Sequence, residues 1–472
     1  VVDLTGETND ELQATLLASI QTAQGRAPIV TNDPTTLERV GGLPVGLKNV
    51  GNTCYLNSLI QTYFMIPILR KAVISYAPSV AVDDSNPNHV FMLELQKLFC
   101  AMVLSNQRFV DPSNLLKKIV DDQGKPVNIG AQEDVSEFND IFMTRLTKGL
   151  DLVHPPALSA SGSQPAPNPL AASVNSNLDQ TILTNGRLQR MFLPSVLEIV
   201  KSQEPDGTPI EQTTPIDFGR NFILPVNEET DLFTSLDKFM SDDVADWETP
   251  KGNKAPATRW KWLRHTPEML FFQEQRAVWH GDSHVKANHK LQFPERLYMD
   301  RYHHDNQTPV TETRAQNAHR IARLAELQKQ IDPFLNFEGG VTLDQTLNGT
   351  IKYLEILSST KPGSEEIDLV RRSVDLLKKQ QAYEATHLQG LQSEKKGLEA
   401  QVDQSYAHLN SEAYKLFAVW VHAGAAVGGH YWAYIRDPVS DEWYKLNDTD
   451  SSRVELPKVL EDGFGGQGVT SA

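Results

Sequence analysis

The chain has 472 residues, 40% hydrophobic and 22% charged. That supplies apolar material for packed cores and length for two to four domains of about 100–200 residues each, which excludes global disorder. Sixty acidic against 44 basic side chains give a net charge of −16. This balance repels phosphate, arguing against a nucleic-acid partner and for a basic one. No stretch approaches the roughly 18 consecutive apolar residues of a membrane span. The start, Val1–Val2–Asp3–Leu4–Thr5–Gly6–Glu7, lacks the basic residues and apolar run of a secretory signal. With Val1 in place of an initiator Met, a fragment is expected. Cys54 and Cys100 are too few for a disulfide scaffold or a multi-cysteine zinc site. They point to a reducing compartment, cytoplasmic and/or nuclear.

Residues 1–40 form a polar tail with one helical stretch, Asn9 to Gln24, in which Leu12, Leu16, Leu17 and Ile20 recur at helical spacing. A Gly-rich approach, Gly41 to Thr53, leads into a helical pattern from Cys54 to Phe64, closed by Pro67. Further helices are predicted over Phe91–Val103, Pro112–Val120 and Glu133–Leu150. Between Pro155 and Asn177 the composition turns to Pro, Ala, Ser, Gly and Asn and reads as a mobile loop. Strand patterns then take over: Phe192–Val200, Phe222–Val226, Met269–Gln275, Lys290–Tyr298, Lys415–His422, His430–Asp437 and Glu442–Asn447. Helices first and strands later indicate an α+β domain with two subregions.

A foreign piece, residues 301–410, separates the strand-rich segments. It shows two long helical patterns parted by a Pro/Gly stretch, Ser358 to Gly363. In the second, Ile367, Val370, Val374, Leu377, Leu388, Leu391, Leu398, Val402 and Leu409 keep one heptad register. Gln381, Glu384, Lys395 and Ser405 interrupt it. Ser364 is placed as N-cap, with Glu365 and Glu366 at the positive helix end. The first pattern carries Ala315, Ala318, Ile321, Leu324, Leu327 and Ile331, enough to cover only part of that seam. An inserted helical hairpin or coiled coil is expected. The surface around Leu388, Leu391, Leu398 and Val402 is expected to meet a second copy or the body of the catalytic domain. The plainer alternative is a long amphipathic helix packed on its own domain.

Cys54 stands at a helix start, where the macrodipole favours a thiolate. Asn49 and nearby backbone N–H groups could donate to a developing oxyanion. A cysteine by itself is more often a small buried hydrophobe, and Cys100, inside Leu98–Phe99–Cys100–Ala101–Met102–Val103, fits that description. Far downstream, Gly428–Gly429–His430–Tyr431 opens a strand. The following strand ends in Asn447–Asp448, where either side chain could hold the imidazole by its Nδ1–H. One cysteine and one histidine so far apart establish nothing without local signatures.

The local signatures are present. Gly46–Leu47–Lys48–Asn49–Val50–Gly51–Asn52–Thr53–Cys54–Tyr55–Leu56–Asn57–Ser58–Leu59–Ile60–Gln61 closely resembles the cysteine box of the ubiquitin-specific proteases. Gly429–His430–Tyr431–Trp432–Ala433–Tyr434, with Trp443 to Asp448, is similar to their histidine box. Gln132–Glu133–Asp134–Val135–Ser136–Glu137–Phe138 resembles a third family element. Pro267 to Arg276 and Lys286 to Pro294 resemble palm segments. The insertion after Phe293 to Tyr302 resembles that of the members numbered twenty-five and twenty-eight and their fungal relatives. With two cysteines the chain cannot carry the paired Cys-x-x-Cys zinc site of many other members.

The resemblance implies a papain-like α+β cysteine protease with thumb, palm and fingers. Residues 41–300 and 411–472 would form the catalytic domain and 301–410 the insertion. It implies a deubiquitinase that needs no metal or cofactor. Cys54 would be the nucleophile, His430 the base, Asn447 its orienter and Asn49 an oxyanion donor. Asn447 stands where many relatives have Asp, and a neutral amide stabilises the imidazolium less. Gln132, Asp134 and Tyr431 would line the channel for the ubiquitin tail, where Asp134 can pair with arginine. Gly428–Gly429 suggests a slot that admits only glycine. Val1–Thr5 resembles a SUMO-interacting motif and Glu11 to Ser19 a ubiquitin-interacting helix. A homodimer through the insertion is the expected self-association. Two rival functions share the boxes: a SUMO or other ubiquitin-like modifier protease, and an inactive ubiquitin-binding scaffold. The chain stops at Thr470–Ser471–Ala472, where family members continue into a final palm strand.

Overall fold

The computed structural model describes residues 38–78, 82–83, 85–121, 123–127, 135–153, 185–226, 231–280, 283–337, 340–360, 365–425 and 428–466. The tail motifs Val1–Thr5 and Glu11–Ser19, the loop 155–177, Gln132, Asp134, Ser364 and the last residues lie outside the described residues. The chain divides into two compact units, Val1–Leu297 with Tyr414–Ala472, and Tyr298–Ala413.

The first unit begins with a helical layer: α1 (Cys54–Phe64), α2 (Pro67–Ile74), α3 (Pro87–Leu104) and α4 (Val135–Leu150). All eleven residues of α1 are buried, polar ones included. Such a helix is tolerable only because its polar groups find partners. Gln61 Nε2 donates to the Val45 carbonyl at 2.8 Å and Trp420 Nε1 donates to Thr62 Oγ1 at 2.8 Å, while Tyr63 OH bonds Asn139. The Tyr63 ring stacks on Phe142 with centroids 5.2 Å apart, and Tyr55 meets Phe138 edge-on. The helix expected over Pro112–Val120 shrinks to Ser113–Leu116. Pro112 stands at its N-cap, and the chain turns back through an isolated bridge between Val120 and Pro126.

Two short strands, β1 (Gly46–Leu47) and β2 (Phe109–Val110), pair in parallel and hold the segment before α1. Phe192 closes a helix, α5 (Asn185–Phe192), rather than opening a strand; the strand starts at Ser195. There β3 (Ser195–Gln203) and β4 (Pro209–Ile216) form the first part of a four-stranded antiparallel sheet. After β5 (Asn221–Pro225) and α6 (Leu232–Met240) it is completed by β6 (Ser241–Glu248) and β7 (Lys254–His265), in the order β4-β3-β7-β6. The sequence patterns missed β4, β6 and β7. In β4 and β6 most side chains face solvent on both sides, so no alternation marks them and only backbone pairing makes them strands. At the far end of this sheet the buried Glu204 carboxylate accepts from Thr249 Oγ1 at 3.1 Å and Asn253 Nδ2 at 3.0 Å. Lys251 meets Asp206 at 3.1 Å. Two hairpin ends are thereby tied by hydrogen bonds. Among the described residues no group of three or more His, Cys, Asp and Glu is placed to hold a metal ion.

β8 (Phe271–Gln275) pairs with β5, and β9 (Ala277–His280) with β10 (Ser283–Lys286). Of the run expected over Lys290–Tyr298 only Arg296–Tyr298 is strand. The palm is a second antiparallel sheet, β11 (Ala418–Ala425), β12 (Gly428–Arg436), β13 (Trp443–Asn447) and β14 (Asp450–Val454), in that order. Ala433 and Ile435 of β12 join the thumb core. Trp432 and Tyr434 join Val421, Trp443 and Val459, the last from α10 (Leu456–Gly463, numbered after the three insertion helices below). Burial on both faces explains why this strand reads as a continuous apolar run.

The second unit corrects the expected helical pair to three helices: α7 (Gln307–Leu335), α8 (Leu343–Thr360) and α9 (Glu365–Gln404). α9 spans 40 residues, about 60 Å. α7 lies along its C-terminal half and α8 along its N-terminal half. The break between α7 and α8, absent from the sequence reading, follows Pro333 by a few residues. Three of the four polar interruptions of the heptad seam are paired across it: Gln381 Nε2 with Asp344 at 2.7 Å, Lys395 with Gln328 at 2.7 Å, and Ser405 with Asn317 at 2.8 Å. Glu384 accepts from Gln380 of its own helix at 2.6 Å. Leu391 is buried against Leu327 and Ile331, with Leu388, Leu398 and Phe334 packed around them. The surface expected to meet a second copy or the catalytic body is therefore occupied by α7. Ile321, expected on the inner face, is 55% exposed. At the base, the Asp300 carboxylate accepts from the Ser411 and Glu412 N–H groups at 2.9 and 2.8 Å.

Among the described residues no helix is long and apolar enough to cross a membrane.

Candidate active site

The segment before Cys54 is built to lie on the end of β13. A Cβ on Gly46 would stand 2.5 Å from the Thr449 carbonyl oxygen, so only glycine lets this strand come so close. The Leu47 N–H then donates to the Asp448 carbonyl at 2.7 Å. Asn49 makes the turn into the helix: its Oδ1 accepts from the Thr53 N–H and hydroxyl, both at 3.1 Å. Its Nδ2 donates to Asp448 Oδ2 at 2.9 Å. One helical turn beyond Cys54, Asn57 Nδ2 donates to the other oxygen, Oδ1, at 2.7 Å. A single carboxylate thus joins the cysteine loop, the first turn of α1 and the end of the palm strand. Asp448 itself adopts a left-handed φ of 51°, which Asp tolerates better than most residues.

Cys54 and His430 are both buried. His430 Nε2 lies 2.6 Å from Asn447 Oδ1, whereas His430 Nδ1 is buried without a hydrogen-bond partner among the described residues. The sequence reading had the orienting residue on Nδ1; the structure puts it on Nε2. An amide oxygen can only accept, so Nε2 carries the proton and Nδ1 presents its lone pair. Asn447 rather than Asp448 holds the imidazole, and Asp448 serves the two asparagines instead. The Tyr431 N–H donates to Cys54 Sγ at 3.4 Å, and its ring sits edge-on to Tyr55 with centroids 6.5 Å apart.

The expected low thiol pKa does not occur in this state. Burial first, and then the charge of Asp448, push Cys54 up to about 12, against the lowering effect of backbone N–H groups such as that of Tyr431. Burial also raises Asp448, which the His430 charge and the two asparagines partly offset. Desolvation therefore outweighs the backbone N–H groups around the sulfur. A thiolate would form here together with an imidazolium.

The twin glycines have an internal role as well. Gly429 is paired with Gly424 across β11 and β12, and a Cβ on it would stand 2.2 Å from the Ala423 oxygen and 2.5 Å from His422 Nε2. The space a side chain would need is already taken by this hairpin. Of the expected channel residues, Tyr431 is placed beside Cys54, while Gln132 and Asp134 lie outside the described residues.

Sequence reasoning left Asn57, His422 and Lys286 without roles. An asparagine inside an all-buried helix was the available signal for Asn57, because such an amide needs a partner.

The sequence model of the family described as "Ubiquitin carboxyl-terminal hydrolase" matches residues 45–467. The chain is 25% identical to ubiquitin carboxyl-terminal hydrolase 28 of Homo sapiens over 99% of this chain and 51% of that protein. It is 25% identical to ubiquitin carboxyl-terminal hydrolase 2 of Saccharomyces cerevisiae over 91% of this chain and 41% of that protein. The chain spans about half the length, or less, of these relatives. Together, the matched span and the α+β architecture establish that the chain belongs to the ubiquitin carboxyl-terminal hydrolase family.

Proposed function

We propose that this chain is the catalytic part of a thiol-dependent deubiquitinase that cleaves the isopeptide bond at the C-terminal glycine of ubiquitin. The observation that carries the reading is the His430 ring, fixed at Nε2 by Asn447 and left with a basic Nδ1, on the residue preceding the one whose N–H meets the Cys54 sulfur. Cys54 passes its proton to His430 as the sulfur attacks the glycine carbonyl. The imidazolium then protonates the departing lysine amine, and water hydrolyses the thioester. Asn49, its amide orientation fixed by Thr53 and Asp448, with backbone N–H groups, would steady the oxyanion. Gln132, Asp134 and Tyr431 would receive the ubiquitin tail. The activity needs no cofactor and suits a reducing compartment, cytoplasmic or nuclear. Val1–Thr5 and Glu11 to Ser19 would add contacts to SUMO and ubiquitin, on sequence grounds alone.

Electrophilic tail probes of ubiquitin and of SUMO test the reading. The expected result is a ubiquitin adduct on Cys54; reaction with the SUMO probe alone, or with neither, would overturn it.

We also infer self-association through the insertion. On α9, Leu369, Leu376 and Tyr383 recur every seven residues and are 67%, 66% and 64% exposed, and α8 adds Tyr353 and Ile356. A repeated apolar stripe in water is an association site, and the same stripe on a second copy is self-complementary about a twofold axis. Light scattering is expected to report a dimer that Leu369→Glu with Leu376→Glu converts to a monomer. A wild-type monomer at high micromolar concentration would defeat this inference.

A further inference from the structure

Lys286, the last residue of β10, points its ammonium at β11. Its Nζ lies 2.7 Å from the His422 carbonyl oxygen, 3.3 Å from the Gly424 carbonyl oxygen and 3.1 Å from His422 Nδ1. An ammonium has three N–H donors, and here are three acceptors. Because Nδ1 accepts, His422 is the neutral tautomer with its proton on Nε2. Among the described residues no carboxylate bonds this lysine, so two carbonyl dipoles and a ring nitrogen stand in for a counter-ion. Burial, aided by repulsion from Arg276, pushes Lys286 down to about 8. Glu274 is committed to Arg276 at 2.7 Å. A half-buried lysine without an acid is costly to keep charged, which suggests a use other than stability.

The place of the three acceptors indicates that use. His422 and Gly424 are the β11 residues paired with Tyr431 and Gly429, so they flank the pair Ala423–His430 on both sides. The His422 ring lies on the Tyr431 ring, centroids 4.5 Å apart at 31°, over a position where Gly429 leaves room. Tyr431 in turn offers its N–H to Cys54 Sγ.

We propose that Lys286 is a positioning residue for the catalytic pair: it locks His422 against Tyr431 and so holds the backbone of β12 at the Cys54 sulfur. Its ammonium bonds His422 and Gly424 and not Cys54 or His430. The inference rests on the deubiquitinase reading for its turnover measurements, but its effect on the cysteine can be read without ubiquitin.

The test uses the full chain with Cys100→Ala and the variants Lys286→Met, Lys286→Arg, His422→Phe and Lys286→Met/His422→Phe. With ubiquitin carrying a C-terminal fluorogenic amide, Lys286→Met is expected to lower kcat by about tenfold or more and leave KM within about threefold. Lys286→Arg, which keeps donors and charge, is expected to recover most of the loss. Since the lysine acts through His422, the double variant should fall within about twofold of Lys286→Met instead of multiplying the single losses. Alkylation of Cys54 by chloroacetamide should slow by about threefold or more in Lys286→Met, because the sulfur loses an N–H that favours its thiolate. An unchanged kcat and alkylation rate, a multiplicative double variant, or a Lys286→Met chain that no longer melts cooperatively would overturn the proposal. Slowed alkylation in a wild-type background that never turns over ubiquitin would sink the deubiquitinase reading and leave this one standing.

Discussion

Cys54→Ala is expected to remove turnover of ubiquitin conjugates, by roughly 10⁴-fold or more, while ubiquitin binding persists. No other described side chain is placed to take over the attack. Of the two cysteines only Cys54 stands beside the histidine hairpin; Cys100 sits on α3, half-buried. Binding should persist because the proposed tail contacts belong to Gln132, Asp134 and Tyr431. The buried thiol is neutral, with its pKa pushed up to about 12, so its removal relieves no charge and leaves only a small cavity. At most a small loss of melting temperature is expected. The checks are steady-state hydrolysis and ubiquitin titration by calorimetry. Turnover well above background in Cys54→Ala, with Cys100→Ala inactive, would transfer the nucleophile to Cys100.

The second large effect separates Asn447 from Asp448, adjacent residues that the sequence offered as alternatives for one role. Asn447→Ala removes the acceptor at His430 Nε2 and leaves the tautomer unfixed. Its kcat is expected to fall by about 10–10²-fold, with a smaller loss of melting temperature than Asp448→Ala because a single buried donor loses its acceptor. Asp448→Ala has a different outcome. It takes the carboxylate acceptor from the buried Asn49 and Asn57 amides at once, and leaves Asn57 Nδ2 only the longer bonds to the Leu47 and Lys48 carbonyls at 3.5 and 3.4 Å. Each donor left unsatisfied costs about 1–3 kcal/mol, so both stability and kcat should drop. The variant also removes a charge that raises the Cys54 thiol. The pH midpoint of cysteine alkylation should accordingly shift down in Asp448→Ala, whereas Asn447→Ala carries no such charge change. Equal melting temperatures in the two variants would show that the Asp448 bonds do not tie the cysteine loop to the palm.

Much of the fold class was legible because local chemistry carried it. Helical patterns marked α1, closed by Pro67, and α3, and the run from His430 to Asp437 read as a strand, although only the structure shows it covered on both faces. The fingers were harder to read. β4 and β6 are solvated on both sides, so their side chains give no period and only pairing with β3 and β7 defines them. In the insertion the heptad register of α9 was readable, yet its partner was not. Gln381, Lys395 and Ser405 looked like flaws in a seam until Asp344, Gln328 and Asn317 stood opposite them. The stripe left open is Leu369, Leu376 and Tyr383, a second period two residues out of phase with the first.

The sequence by itself determined the kind of chemistry. A cysteine at a helix start, a Gly-Gly-His strand and an Asn-Asp end are strings of neighbours, and neighbours are fixed by the covalent chain. The tertiary structure decided which atoms those residues use. Asp448 lies 399 positions from Asn49, and only the close approach at Gly46 brings them to 2.9 Å. The same folding put Asn447 on Nε2 of His430 and drew Lys286 against the carbonyls of His422 and Gly424. It also set the thiol pKa, because desolvation depends on how many atoms surround Cys54 in space, and the charge of Asp448, the second cause, comes from beyond the end of β13.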